Sequence, residues 1–126
     1  RLIARSAASR ANASERDAMT AIAQSMETAV KSGDLVAFLQ WDNEMNRQAA
    51  LSARNMVAAS AVAALHSASR RFWFYHHQGQ ANATQRLHVA LARAMASGKP
   101  ERAAEASDRL IDDLFDFATR TLITRT

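Results

Sequence analysis

An all-helical, antiparallel bundle of about six helices is the fold class this sequence predicts, and three observations predict it. Alanine supplies 29 of the 126 residues, against three glycines and one proline. Alanine is the strongest helix former, and a β-sandwich or barrel would need frequent turn residues and β-branched strands. Apolar residues also recur at steps of three and four, as on Met19, Ile22, Met26, Ala29 and Val30, which is the stripe of a core-facing helix. Finally, the breaks between such stretches are only a few residues long, which favours antiparallel neighbours.

Each element follows in order. Leu2 to about Ala11 reads as a short helix, interrupted at Asn12 and Ser14, with Ser14 and Asp17 spaced as a near capping box. The second helix closes at Ser32-Gly33-Asp34, where Gly33 suits a left-handed C-cap and Asp34 starts the third helix. That third helix runs from about Asp34 to Ser52. Asn55 opens a long fourth helix to about His77, and Gln78-Gly79-Gln80-Ala81-Asn82 reads as a loop. Thr84 is expected to cap the fifth helix, which ends at Ser97-Gly98. Lys99-Pro100 begins the sixth, where proline is tolerated in the first turn. Neither an internal repeat nor a second domain is visible in the chain.

Charge and cysteine narrow the class. Sixteen basic and twelve acidic residues give a net charge of +4, but nucleic-acid surfaces need clustered charge. The fourteen arginines are spread along the chain, and Arg70-Arg71 is the only adjacent pair. No cysteine is present and no apolar run approaches a membrane span, which fits a cytoplasmic protein with no membrane partner. The chain opens without methionine and already in helical register, so a further segment is expected upstream.

Function is sought where the apolar pattern breaks. On the third helix the stripe reads Leu35, Phe38, Leu39, Met45 and Ala49, and Asp42 stands in the middle of it with Asn46 one turn later. Residues four apart share a helix face, so an acid and an amide are directed toward the interior. His88 lies at the edge of the fifth helix's stripe of Leu87, Leu91, Ala94 and Met95. An aspartate and a histidine from different helices are the parts from which bundle metal and ligand sites are made. The run Arg70-Arg71-Phe72-Trp73-Phe74-Tyr75-His76 puts aromatics all around the fourth helix. One face cannot bury them, so that helix is expected to lie between its own bundle and a partner subunit. Arginines beside such rings suit a planar carboxylate. His66 and His77 are read as structural or exposed.

Taken together, Gly33-Asp34 before a helix, Asp42 within it, Asn55 opening a long helix, His88 in Leu87-His88, and Gly98-Lys99-Pro100-Glu101 before an alanine-rich helix resemble the FCD domain. This is the all-helical C-terminal effector-binding domain of FadR-type GntR transcription regulators. The resemblance covers essentially the whole chain. It implies an aspartate, a histidine four residues on, a histidine on the penultimate helix and another twenty-two residues later as a metal site. Those positions carry Asp42, Asn46, His88 and Leu110 here. With two of four ligands kept, it implies a weakly held zinc or nickel ion at most, and no metal is the simpler expectation. Direct hydrogen bonding of an effector by Asp42, Asn46 and His88 is the alternative. The family's pocket-facing arginine falls near Arg1, while its usual glutamate is Ala4. Arg70 and Arg71 complete the candidate ligand-binding set.

The function implied is a ligand-sensing domain of a bacterial regulator. It would act as a homodimer, bind a small carboxylate, and touch DNA only through a winged helix-turn-helix upstream. Two other classes stay open at this stage. One is a small helical enzyme using Asp42 or His88 as general base on an anionic substrate. The other is a plain helical interaction module, which predicts no cavity.

Overall fold

The computed structural model describes residues 1–76 and 81–124. Six helices account for nearly all of them: α1 (Leu2–Arg10), α2 (Ala13–Ser32), α3 (Leu35–Ala53), α4 (Met56–His76), α5 (Ala81–Ala96) and α6 (Pro100–Thr124). No strand occurs among the described residues. The all-helical expectation is met.

Local chemistry sets the boundaries. The capping box at the start of α2 is made by Asn12 and Glu15, not by Ser14 and Asp17. The Asn12 side chain accepts from the Glu15 amide at 2.8 Å, and the Glu15 carboxylate accepts from the Asn12 amide at 3.0 Å. Gly33, at φ 70°, ends α2 in the left-handed conformation, where a β-carbon would be strained. Asp34 and Asn55 cap α3 and α4 as expected, accepting from the amides of Ala37 and Ala58, both at 3.0 Å. The loop expected at 78–82 is too long by two residues, because α5 already begins at Ala81; the rest of it lies outside the described residues. Thr84 is therefore three residues into α5 and caps nothing. Its hydroxyl instead donates to Asp113 on α6 at 2.8 Å.

Helix α2 packs on α3 and α5, α1 lies against α3 and α6, and α5 packs on α6. Ala23, Ala53, Ala92, Ala103 and Ala104 have no exposed surface. Residues this small at the contacts let the helix axes approach closely, while Met19, Ile22, Met26, Phe38, Met45 and Met95 fill the space between. Two arginines lock the corner where α1 meets the end of α3. Arg10 donates to the Ala53 carbonyl at 2.8 Å, and Arg54 donates to the Arg10 carbonyl at 2.7 Å. Each thus satisfies a carbonyl left without an intrahelical partner.

Helix α4 is the exception to this packing. It meets α3 and, through Phe72 edge-on to Phe117, touches α6. Trp73, 5% exposed, is its one buried residue. The rest of its inner face looks onto open space, and that space is the candidate site.

Candidate functional site

A cavity of about 560 Å³ lies between α4 and the body of the bundle, within the range of pockets that enclose small molecules. Its floor comes from α3 and α5, through Phe38, Asp42, Met45, Leu91 and Met95. The first residues of α1, the inner face of α4 and the middle of α6 form the remaining walls. Leu2, Leu65 and Ile111 line it and are also exposed, so they mark its mouth.

Most of this lining is apolar, and the polar groups gather around Asp42. Burying a carboxylate is costly unless it is paired, yet Asp42 is only 2% exposed. Its Oδ2 lies 3.9 Å from Arg70 Nη1 on α4, and its Oδ1 lies 3.6 Å from His88 Nε2 on α5. Both separations exceed a hydrogen bond, and Oδ1 has no hydrogen-bond partner. The His88 ring is held from two sides. Its Nδ1 is 2.9 Å from the Thr84 carbonyl, and its plane stands at 90° to Phe38 with centroids 5.6 Å apart. Phe38 in turn packs on Trp73 at 6.4 Å, so one buried ring positions both the histidine and the inner end of α4.

The expected residues mostly converge. Asp42, Asn46, His88, Arg70 and Arg1 all line the cavity, although Arg1 is already ion-paired with Asp108. Arg71 does not line it. Its side chain is exposed and donates to Ser67 at 2.6 Å on the outside of α4, because adjacent residues point about 100° apart on a helix. His66, read as structural or exposed, does line the cavity. Although its surface is open at the mouth, desolvation by the surrounding walls holds its imidazole below the ordinary value. The Asp42 charge opposes that fall, and Arg70 and His88 add to it. In the structure Val62, His66, Ser69, Arg70 and Trp73 follow one another at helical spacing on the face of α4 that lines the cavity. His77 lies outside the described residues.

Part of the basic charge that might have suggested nucleic acid is engaged in ion pairs within the bundle, among them Arg5 with Glu101, Arg54 with Glu15, Arg93 with Glu27, and Arg47 with Glu44.

A family model of the FCD domain matches residues 1–113. The chain belongs to the FCD domain family. No curated protein and no solved structure gives a significant match. An FCD domain is a regulatory, effector-binding module.

The metal implied by the FCD resemblance can be tested against the donors present. Asp42 and His88 are brought together, but Leu110 lines the cavity with a side chain that offers no donor. Among the described residues, no three His, Cys, Asp or Glu side chains cluster closely enough to hold a metal ion. The guanidinium of Arg70 beside Asp42 further opposes a cation there. The donor set does not fit a resident metal. Supplying the missing donors should reverse this. Asn46→His combined with Leu110→His is expected to carry close to one equivalent of zinc after purification, with the parent chain far below that. Elemental analysis decides it, and equal metal content in both proteins would contradict the donor argument.

Proposed function

We propose that this domain senses a small carboxylate metabolite for a bacterial GntR-type transcription regulator. It works as a cytoplasmic homodimer whose DNA contacts are made by a winged helix-turn-helix outside this segment. The observation that carries the reading is the position of α4. Its inner face walls the cavity through Val62, His66, Arg70 and Trp73. Outside the cavity Val57 and Tyr75 stay 83% and 77% exposed, and Phe115 of the neighbouring α6 is 69% exposed. Apolar surface of this kind is characteristic of subunit contacts.

A ligand in the cavity supplies the packing that α4 lacks, and the same helix meets the second subunit. An effector regulates only through the difference in its affinity for two arrangements. A helix docked mainly by its ligand provides two arrangements. No helix among the described residues is long and apolar enough to cross a membrane.

The test is a thermal-shift screen of small carboxylic acids, run beside sedimentation of the same protein. An acid present at about a hundred times its dissociation constant adds about 2.7 kcal/mol, which raises the midpoint of a domain this size by roughly 10 °C. The chain is expected to sediment as a dimer. A monomer whose melting no acid alters would defeat the reading.

A further inference from the structure

The ligand's polar end can be narrowed by counting donors and acceptors around Asp42. The Thr84 carbonyl can only accept, so the proton of a neutral His88 ring sits on Nδ1 and donates to it at 2.9 Å. The other nitrogen, Nε2, then presents a lone pair. It faces Asp42 Oδ1 across 3.6 Å, and that oxygen is buried and without a partner. With the ring neutral, two acceptors confront each other inside a protein, where unsatisfied polar atoms are costly. A hydroxyl brings a single proton and can satisfy one of them. An ammonium brings three and can satisfy both at once. On the other side of Asp42, the Arg70 guanidinium lies 3.9 Å from Oδ2, beyond hydrogen-bond distance, and lines the same cavity. An anion beside a cation mirrors a zwitterion.

We infer that the cavity takes an α-amino acid with a bulky apolar side chain. The ammonium lies between Asp42 Oδ1 and His88 Nε2, the carboxylate meets Arg70, and the side chain fills the space lined by Met45, Leu91, Met95 and Leu110. A carboxylate without its own positive group would draw Arg70 away from Asp42 and leave that buried anion without a counter-charge. A very small amino acid leaves most of a 560 Å³ apolar space empty. The inference rests on the proposal that this cavity binds an acid, and it adds the amine and the apolar body.

The test is calorimetric titration of the dimer, with and without EDTA, with two matched sets of compounds. One set is tryptophan, indolelactate and indolepropionate; the other is leucine with its α-hydroxy and unsubstituted counterparts. Within at least one set the amino acid is expected to bind ten-fold or more tighter than the hydroxy acid, and tighter still than the plain acid. Asp42→Asn is expected to erase that preference, bringing the amino-to-plain ratio close to one with the fold intact by circular dichroism. Arg70→Gln is expected to weaken all members of a set alike. Plain acids binding as tightly as the amino acids would overturn the inference and leave the acid-sensing proposal standing, as would binding that EDTA abolishes. If none of the six compounds binds, the inference fails, and the broader screen of other acids shows whether the acid-sensing proposal fails with it.

Discussion

Asp42→Leu is expected to leave the ligand-free domain as stable as the parent, or about 1 kcal/mol more stable, while removing its response to the effector. The direction follows from what Asp42 does without a ligand. Its carboxylate is 2% exposed, touches Arg70 only at 3.9 Å, and keeps Oδ1 without a hydrogen bond. Were Asp42 the keystone of a well-formed buried ion pair, its loss would cost about 3–5 kcal/mol by leaving a buried charge alone. Arg70, however, is 24% exposed at its side chain and can turn toward water. His88 keeps its bond to the Thr84 carbonyl. The penalty of desolvating the carboxylate therefore outweighs what its loose contacts return, and an apolar replacement extends the surface of Met45 and Leu91. Chemical denaturation of the free protein measures the first half. Thermal shift at saturating effector measures the second, where the parent's gain of about 2.7 kcal/mol at a hundred-fold excess over the dissociation constant should vanish. A free domain destabilised by 3 kcal/mol or more would make Asp42 a structural residue instead.

The same contrast explains which parts of the site were legible in the sequence. Asp42 was visible because it interrupts a stripe from Leu35 to Ala49 whose other members are buried or half-buried. An apolar periodicity is a statement about facing, and its violation is one too. His88 was visible for the same reason on α5. Helix α4 carries no such stripe. Its apolar residues lie all around, since one side meets the cavity and the other remains exposed. A residue's direction there could not be read against a background. Arg70 and Arg71 consequently looked equivalent, although one lines the cavity and the other bonds Ser67 on the outside. His66 was missed on that helix as well. The starts of α2 and α5 show a different limit. Asn12 and Ser14 are both good caps, and Glu15 decided for Asn12. Thr84 looked like a cap until a tertiary partner, Asp113, took its hydroxyl. Local chemistry offers candidates, and packing selects among them.

Phe38→Ala is expected to be the most damaging single change at the site, costing about 3 kcal/mol of stability and most of the ligand affinity. Phe38 is among the largest side chains with almost no exposed surface, and truncating a buried phenylalanine costs about 3–5 kcal/mol. The low end applies because one flank of the ring already borders open cavity, so fewer packing contacts are lost than in a closed core. Against a total of about 5–15 kcal/mol for a domain, this leaves the variant folded at room temperature with a markedly lower melting point. Its functional cost comes from what the ring holds. It stands edge-on to His88 at 5.6 Å and packs on Trp73, the one buried residue of α4, at 6.4 Å. Removing it frees the histidine that faces Asp42 and loosens the helix that walls the site. Phe38→Leu keeps most of the volume and should cost less than about 1.5 kcal/mol, yet it lacks the flat face against which His88 is set. The pair of variants separates two roles. If Phe38 only fills volume, leucine restores stability and affinity together. If it also orients His88 and Trp73, leucine restores stability while affinity stays low and the tryptophan emission remains shifted from that of the parent.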